Sequence, residues 1–433
     1  MHTHLRGAMA VGAGAVAVAL SLTGCSSGNT PASTSTSTSG APTSSSTTSS
    51  APSNGLSSSS SALTILFGSS GDAETKAMQD AATAWSATSG TQVTVTTAAN
   101  MDQEMAQGFA GGKPADVFYL GTGVLAGYAD AGNLLAYGDL MPNKADFYPS
   151  LVANFTYKGK FYCAPKDFST LGLIINTDMW AAAGLTDADY PTTWEQLHAV
   201  AKRLTTGGVT GIIPGGQYER LGAFMVQNGS NLMSPDGTKV TAADQSNIDA
   251  LAFVKTMLAD GSMKFAADVS AGWGGEAFGT GKAAMTIEGN WITGAMNGDY
   301  KNIKWKAVPL PTGPSGKKGT LQFTNCWGIA AASPNQQAAL KLVEFMTTKD
   351  QQMKFSQAFG VLPSIQSAAA DYKAAYPNLS IFMDAVQYAQ GVPTLKGSSD
   401  VLKELNNNLG QLATSDPATI LNAAQTQLQA LMK

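Results

Sequence analysis

The sequence predicts an α/β fold in which a parallel sheet carries helices on its faces. A β-rich run at residues 63–67 is followed by a helical stretch with Met78 and Trp85 on one stripe, and then by an alternating run at 92–97. A further β-rich run at 116–120 comes after a Gly-Gly-Lys-Pro turn. Strands that alternate with helices in this way are typical of parallel sheets covered by helices.

Later helices are marked by the residues at their ends. Thr192 and Glu195 are three apart, which is the spacing of a capping box, and predict a helix start there. Pro334 is predicted to occupy the first position of another helix, with apolar residues at helical spacing over 340–346. Gly360 is predicted to end the helix that follows, because glycine accepts the left-handed conformation common at a C-terminus.

The first 61 residues predict an export signal and a tether. Arg6 precedes an uncharged run over residues 8–22, which is shorter than the roughly 20 apolar residues of a membrane span and is typical of a secretory signal. The Ser/Thr-rich stretch after it carries too little apolar surface to offset chain entropy, so it is predicted to be disordered. The predicted boundaries are 1–24 for the signal peptide, 25–61 for Cys25 and the tether, and 62–433 for the folded domain.

Composition excludes several classes of function. With 26 basic and 30 acidic residues among 433, the chain lacks the basic field that nucleic acid requires. Of its three His residues, His2 and His4 lie at the start, which leaves only His198 for the rest of the chain. A multi-His metal site is therefore excluded. The three cysteines are too few for an all-cysteine zinc site, which needs four, and no metal or cofactor is predicted. His198 is predicted to lie on the face of a helix.

A short motif closes the N-terminal apolar run. Residues 22–25 read Leu-Thr-Gly-Cys. They resemble the lipobox of bacterial lipoproteins, which implies cleavage before Cys25 and acylation of its sulfur and new amine. That resemblance implies a protein anchored by lipid to the outer face of the cell membrane, in a Gram-positive-type envelope. An ordinary signal peptide with a chance Cys is the alternative.

Five segments, in order, resemble one protein family. They are PADVF with GYADAGNLL (114–118, 127–135), YKGKFYCAP (157–165), LIINTD (173–178), PTTWEQL (191–197) and FGTGKAAMTIEGNW (278–291). Each is weak alone, but together they are similar to the family 1 extracellular solute-binding proteins of ABC transporters, which include maltose-binding proteins. The resemblance covers essentially all of residues 62–433.

The resemblance implies a two-lobed periplasmic-binding-protein fold with interleaved lobes, hinge strands and a central ligand cleft. The first lobe is expected over about 62–165 and 326–363. The second lobe is expected over about 166–321 and 364–433. A cleft between lobes can bury a polar ligand on both sides, and hinge closure gives a shape that a permease can recognise.

Candidate ligand residues stand at the ends of the predicted strands, where open α/β sheets bind ligands. They are Ser70 and Asp72 after the first strand, Thr122 after the third, Lys166, Asp167 and Phe168 after the first crossing, Tyr218 and Glu219 after the strand near 212, and Glu288, Asn290 and Trp291 after the strand near 286, together with Trp273 and Trp327. Carboxylates and amides suit sugar hydroxyls, and aromatic faces suit sugar C–H surfaces. Trp291 is the first choice for stacking, with core packing as the alternative. Tyr119 is a further candidate, whereas Trp194 is predicted to be core.

Two cysteines remain after Cys25. By the resemblance, Cys163 and Cys326 both fall on strands that cross between the lobes, in an oxidising compartment. A disulfide there would close a long loop and contribute about 4–5 kcal/mol in the chain-entropy description. Two separate buried thiols are the alternative.

The sequence therefore predicts a monomeric, lipid-anchored binding protein that delivers a carbohydrate to the transmembrane subunits of an ABC permease. A polyamine or peptide is the alternative ligand, because Asp167, Glu219, Glu276 and Glu288 could hold a cation. A secreted glycoside hydrolase would need two of these acids flanking one bond. No nucleophile elbow, metal motif or phosphate loop accompanies them, so the protein is not predicted to be an enzyme.

Overall fold

The computed structural model of the protein describes residues 55–433. The predicted signal peptide, Cys25 and most of the predicted tether lie outside the described residues. None of the helices over 55–433 is long and apolar enough to cross a membrane.

Strands and helices alternate along much of the described chain. The strands are β1 (Leu63–Phe67), β2 (Val93–Thr97), β3 (Val117–Gly121), β4 (Thr156–Tyr157), β5 (Lys160–Phe161), β6 (Ser169–Asn176), β7 (Thr210–Ile212), β8 (Ala283–Gly289), β9 (Trp305–Val308), β10 (Thr320–Phe323), β11 (Asn325–Ile329) and β12 (Ala389–Gln390). The helices are α1 (Asp72–Ser89), α2 (Met101–Ala110), α3 (Thr122–Asp130), α4 (Pro149–Asn154), α5 (Thr177–Ala182), α6 (Trp194–Leu204), α7 (Tyr218–Gln227), α8 (Gln245–Ala259), α9 (Gly274–Gly279), α10 (Ile292–Gly298), α11 (Gln336–Met346), α12 (Lys349–Phe359), α13 (Ala369–Ala375), α14 (Ser380–Asp384), α15 (Ser398–Leu409) and α16 (Pro417–Leu431).

The first sheet has the strand order β11-β3-β1-β2. Strands β1, β2 and β3 are parallel, and β11 runs antiparallel to β3. Because side chains alternate along a strand, Leu63, Ile65 and Phe67 point to the same face, and all three are fully buried. The parallel arrangement predicted from the strand–helix alternation is confirmed for β1, β2 and β3 but not for β11.

The second sheet is mixed, with the order β12-β10-β6-β8-β7 and β9 also paired with β6. Strand β6 is central and pairs antiparallel with β8, β9 and β10. Its residues from Thr170 to Asn176 are all buried, as expected of a strand that is covered on both faces. Leu173 and Ile175 join one hydrophobic core, and Ile174 joins another on the opposite face.

These sheets give the two-lobed α/β architecture that the resemblance implied. One core surrounds the first sheet and includes Phe118, Ile329 and Val343. The C-terminal helices contribute to the two cores of the second sheet. Helices α15 and α16 pack on one face of this sheet, and α13 and α14 pack on the other.

Three segments of chain connect the lobes and bond to one another. Pro165 forms a bridge with Cys326, and Phe168 forms one with Leu362. The Lys166 N–H donates to the Asn325 carbonyl at 2.9 Å. We call residues 165–169, 323–326 and 360–364 the crossing segments. The sulfur atoms of Cys163 and Cys326 lie at bonding distance, with their Cα atoms 5.6 Å apart, at the first-lobe end of two of these segments.

Two helix starts differ from the sequence prediction by one or two residues. Helix α6 is capped by Thr193, whose hydroxyl accepts from the Gln196 N–H, rather than by Thr192. Helix α11 begins at Gln336, so Pro334 precedes it. The predicted C-terminus of α12 is confirmed, because Gly360 adopts the left-handed conformation with φ of 78°.

The end of the predicted tether lies on the first lobe. The Ser57 hydroxyl donates to the Ser333 carbonyl at 2.7 Å, and its N–H donates to Gln336 Oε1 at 3.1 Å. Leu56 packs against the first-lobe core. The chain thus contacts the first lobe from about Leu56, rather than from residue 62 as the predicted boundary has it. Composition cannot reveal the hydrogen-bonding groups that the start of α11 offers to this segment.

Candidate functional site

A cavity of about 380 Å³ lies where the two lobes meet. It is lined from both sides and by the crossing segments, by Gly68, Ser69, Ser70, Glu74, Tyr119, Lys166, Asp167, Ser169, Asn290, Trp291, Phe323, Thr324, Asn325, Phe359, Gly360 and Val361. Its size is within the range of small-molecule sites, and its lining combines aromatic rings with a few polar groups.

One end of the cavity holds a buried charge cluster around Lys166. The Lys166 ammonium bonds to Asp167 and lies 3.5 Å from Glu74 Oε1. Glu74 is fixed in turn by the Tyr119 hydroxyl at 2.8 Å and by the Ser70 N–H and hydroxyl at 2.8 and 2.7 Å. The ammonium also lies 4.3 Å from the centre of the Tyr119 ring. One cation therefore neutralises one of two acids, and the cluster has a net charge of −1.

The pKa values of the two acids in this cluster shift in opposite directions. Burial opposes ionisation of Glu74, but Lys166 and the hydrogen bonds from Ser70 and Tyr119 outweigh it, so the Glu74 pKa is lowered. Burial dominates at Asp167 and raises its pKa despite Lys166, and the nearby Glu74 charge adds to the rise. Glu74 is thus firmly an acceptor at neutral pH.

Trp291 forms the aromatic wall of the second lobe. It is half-buried, and its ring packs edge-on against Phe323 with centres 5.6 Å apart. Its Nε1–H donates to Glu288 Oε2 at 2.9 Å. The Arg220 guanidinium lies over the ring, 5.0 Å from its centre. The ring is therefore held on several sides while part of it borders the cavity.

A glycine makes room for this ring. A methyl group added at Gly289 would lie 2.2 Å from the Trp291 Cζ3 atom. We expect Gly289→Ala to displace the ring and to lower the free energy of unfolding by about 1–3 kcal/mol, the usual cost of overpacking. Urea denaturation measures the change. The matched control is Gly294→Ala, where an added methyl meets nothing within 4 Å. An unchanged midpoint in Gly289→Ala would contradict the close approach.

Five predicted site residues line the cavity, and they come from three separate stretches of chain. These are Ser70, Lys166, Asp167, Asn290 and Trp291. Tyr119, the further candidate from the sequence, also lines the cavity. Asn290 Nδ2 donates to the Gly360 carbonyl at 2.7 Å and so connects the second lobe to the crossing segment. Asn290 Oδ1 is buried and has no hydrogen-bond partner among the described residues.

Three predicted aromatic residues lie in hydrophobic cores instead. Trp327 is 1% exposed and packs edge-on behind Tyr119, with ring centres 5.2 Å apart. Phe168 is fully buried against Tyr148. Tyr218 is fully buried, and its hydroxyl donates to Asn231 Oδ1 at 2.6 Å. Their rings complete the packing of the lobes and do not reach the cavity.

The remaining predicted residues border other surfaces. Asp72 is exposed at the start of α1, and Thr122 is half-buried at the start of α3. Glu219 Oε2 accepts from Asn406 Nδ2 at 2.9 Å. Trp273 packs on a second-lobe core and is not among the residues that line the cavity. Glu288 is fully buried behind Trp291 and is paired with Arg220.

Sequence reasoning missed the part of the lining that comes from helices and from the crossing segments 323–326 and 360–364. Glu74 lies in the first turn of α1, four residues after Ser70, and that spacing could have indicated it. Phe323, Phe359 and Val361 carry no comparable local signal. His198 is far from the lining and bonds to Asp260 Oδ2 at 2.6 Å, which fits the predicted helix-face role.

Comparison with known proteins gives one family. A family model described as bacterial extracellular solute-binding protein matches residues 69–353. A binding protein of Brucella abortus is 24% identical over 348 residues, which is 76% of this chain and 83% of its own length. The diacetylchitobiose-binding protein DasA of Streptomyces coelicolor is 23% identical over 282 residues, which is 63% of this chain and 66% of DasA.

Solved structures of similar fold come from several bacteria. The cyclic alpha-maltosyl-1,6-maltose-binding protein of Arthrobacter globiformis has a TM-score of 0.75 and 19% identity, covering 86% of this chain and 98% of its own. Lmo0181 of Listeria monocytogenes, in complex with cycloalternan, has a TM-score of 0.74, 23% identity and the same coverage of 86% and 98%. UgpB of Mycobacterium tuberculosis, in complex with glycerophosphocholine, has a TM-score of 0.74, 19% identity and again 86% and 98%.

Proposed function

Because the chain belongs to the bacterial extracellular solute-binding protein family, we propose that it binds a carbohydrate in the cavity between its lobes and delivers it to the transmembrane subunits of an ABC importer. The observation that carries the proposal is the Trp291 ring, which borders a cavity of about 380 Å³ beside several uncharged hydrogen-bonding groups. Such a site suits a small neutral ligand with one apolar face and many hydroxyls.

The polar groups match what a sugar offers. Buried polar atoms without partners cost free energy, and a ligand that supplies the partner recovers it. Asn290 lines the cavity and its Oδ1 is such an atom, which a sugar hydroxyl would reach once the side chain turns toward the ligand. Ser69, Thr324 and Asn325 add hydroxyl and amide groups to the lining. The aromatic walls then take the C–H faces of the ring.

The charge pattern disfavours the polyamine alternative. Of the four acids considered for a cation, Glu288 is paired with Arg220, and Asp167 is paired with Lys166. Glu219 bonds to Asn406, and Glu276 accepts from the Gly272 N–H at 2.7 Å. None of the four is an unpaired acid in the cavity. The further lining acid, Glu74, lies beside Lys166 and accepts hydrogen bonds from Ser70 and Tyr119. A phosphate ester such as glycerophosphocholine is disfavoured as well, because Lys166 already has two carboxylates around it.

The positions of the carboxyl groups also disfavour a glycoside hydrolase. Such an enzyme needs one carboxyl as acid and a second as base or nucleophile on either side of the bond. The two carboxyls that line the cavity, Glu74 and Asp167, both lie against the one Lys166 ammonium. We propose that they shape the binding site rather than catalyse a reaction.

A ligand screen tests the proposal directly. The panel contains N,N′-diacetylchitobiose, acarbose, cycloalternan, glycerophosphocholine and spermidine, each at two salt concentrations. A ligand at about 100 times its dissociation constant adds about 2.7 kcal/mol to stability and raises the melting temperature. We expect a shift with a carbohydrate that persists at high salt, because a neutral ligand is not screened. A shift with spermidine that vanishes in salt would move the assignment to a cation.

Trp291→Ala is expected to weaken carbohydrate binding by about 2–4 kcal/mol, which is roughly 30- to 1,000-fold in dissociation constant. The reason is loss of the aromatic face and of the area that it buries. Titration calorimetry with the carbohydrate from the screen measures it. Trp273→Ala is the matched control, since that ring packs on a second-lobe core and is not among the residues that line the cavity. Equal affinity in Trp291→Ala and the parent would assign Trp291 to packing.

We further propose that the protein is a monomer anchored by lipid at Cys25 to the outer face of the membrane. The support is the Leu-Thr-Gly-Cys motif at residues 22–25 after a short apolar run. Cys25→Ser is expected to release the protein into the medium or leave its signal uncleaved. Fractionation and mass spectrometry of the N-terminal peptide measure this. A Cys25→Ser protein whose signal is cleaved and which still stays membrane-bound through mild washing, as the parent does, would contradict the anchor.

A further inference from the structure

Two charged residues behind Trp291 interact with its ring and do not line the cavity. Arg220, on α7, donates from Nε and Nη2 to Glu288 Oε2 at 3.1 and 2.7 Å. The same oxygen accepts the Trp291 Nε1–H at 2.9 Å. One carboxylate oxygen at the end of β8 therefore receives three N–H groups from two other elements.

Burial makes this arrangement rigid. Glu288 is fully buried, and the Arg220 side chain is 15% exposed. Hydrogen bonds to an ionised group are stronger than neutral ones, and a planar guanidinium with two donors fixes direction as well as distance. The guanidinium also lies over the Trp291 ring at 5.0 Å from its centre, within cation–π range.

This geometry determines what Trp291 can offer to a ligand. The indole has one donor, Nε1–H, and Glu288 already accepts it. Arg220 covers part of the ring and is absent from the cavity lining. What remains for a ligand is apolar ring surface, so Trp291 would contribute stacking and no hydrogen bond.

We propose that Arg220 and Glu288 are positioning residues that set the orientation of Trp291 and thereby the strength of ligand binding. The part of this proposal that concerns ligand rests on the proposed function. The part that concerns the ring does not, so the two are tested separately.

The ring orientation is tested without ligand, by fluorine NMR of protein labelled with 5-fluorotryptophan. Trp291→Phe assigns the Trp291 resonance among the seven tryptophans. Arg220→Met keeps the length of the side chain and removes its donors and charge, and it is expected to shift and broaden that resonance alone. Because a lone buried Glu288 could prevent folding, Arg220→Met with Glu288→Gln is made as a neutral second variant. Arg203→Met is the control, since Arg203 bonds to the Ala183 and Gly184 carbonyls directly after α5.

The effect on binding is tested by a double-mutant cycle with acarbose and N,N′-diacetylchitobiose as probes. In the parent background the neutral double variant is expected to weaken binding about tenfold, less than Trp291→Ala, because the ring is still present but is no longer held in one orientation. In the Trp291→Ala background it is expected to change nothing further. Arg220→Lys keeps the charge without the planar fork and is expected to give an intermediate loss.

The outcomes separate the two proposals. An unchanged Trp291 resonance in both Arg220 variants would overturn the positioning role. An equal loss of affinity with and without Trp291 would also overturn it, since Arg220 would then act on the ligand itself. If neither probe binds the parent, carbohydrate binding is contradicted for these ligands, and the fluorine resonance alone decides the positioning role.

Discussion

Lys166→Met is expected to lower the free energy of unfolding by about 3–5 kcal/mol, because it leaves buried carboxylates without their cation. Lys166 is 6% exposed and lies between Asp167 and Glu74, which are 9% and 4% exposed. The hydrogen bonds from Ser70 and Tyr119 hold Glu74 in place, so the carboxylate cannot turn to water without breaking them. Urea denaturation at neutral pH measures the loss.

The loss of stability in Lys166→Met should be smaller at low pH. Burial already raises the Asp167 pKa in the native protein, and removal of Lys166 takes away the group that opposes the rise. A folded pKa above the unfolded value means that ionisation opposes folding, so the penalty is full above the folded pKa and is relieved as pH falls through it. The difference between variant and parent is therefore expected to be largest above the folded pKa of Asp167 and smaller below it, which urea denaturation over a series of pH values measures.

An exposed lysine provides the matched control. Lys304→Met removes a surface ion pair with Asp178, with side chains 75% and 60% exposed, and such pairs contribute about 0–1 kcal/mol. Equal stability of Lys166→Met and Lys304→Met at every pH would contradict a buried interaction of Lys166 with Asp167 and Glu74. A Lys166→Met protein that gained spermidine binding would show that Lys166 occupies the position of a ligand cation.

The parts of the fold that could be predicted are those specified by residues close together in the chain. The stripe of Trp194, Leu197 and Leu204 is buried in α6 as predicted, because helical spacing alone places it on one face. Gly360 ends α12 for a local backbone reason. The mixed order of the second sheet could not be predicted from the chain, since β12 joins β10 across a long sequence separation.

The site was harder to predict, because strand ends indicate position but not depth. Trp291 follows the end of β8 and borders the cavity, whereas Trp327 lies within β11 and is enclosed behind Tyr119. What distinguishes them is packing from other elements: Arg220 and Phe323 leave part of Trp291 uncovered. A single sequence holds no local signal for that difference.

The crossing segments both join the lobes and line the cavity. Lys166, Asp167, Thr324 and Val361 belong to them and face the ligand space. The Thr324 hydroxyl donates to the Asp167 carbonyl at 2.6 Å, which ties two of the segments together. A ligand that contacts these residues contacts the hinge itself. Closure can then be driven by the ligand's higher affinity for one arrangement of the segments.

Replacing Cys163 and Cys326 together with alanine is expected to lower the free energy of unfolding by about 5 kcal/mol in the chain-entropy description, for a sequence separation of 163. Both residues are buried in the first-lobe core, at 1% and 0% exposure. A cross-link between two crossing segments removes much of the conformational freedom of the unfolded chain. Urea denaturation of the variant, and of the parent with and without reductant, measures the change.

Ligand affinity should respond far less than stability. The cysteines lie in the core around the first sheet and outside the cavity lining, so the groups that face a ligand keep their positions. Reduced parent and alanine variant should unfold at nearly the same urea concentration, well below the oxidised parent, while all three bind the carbohydrate with similar affinity. Two free thiols in the denatured, unreduced parent would contradict the cross-link. A large loss of affinity in the alanine variant would show instead that the cross-link holds the crossing segments in their binding arrangement.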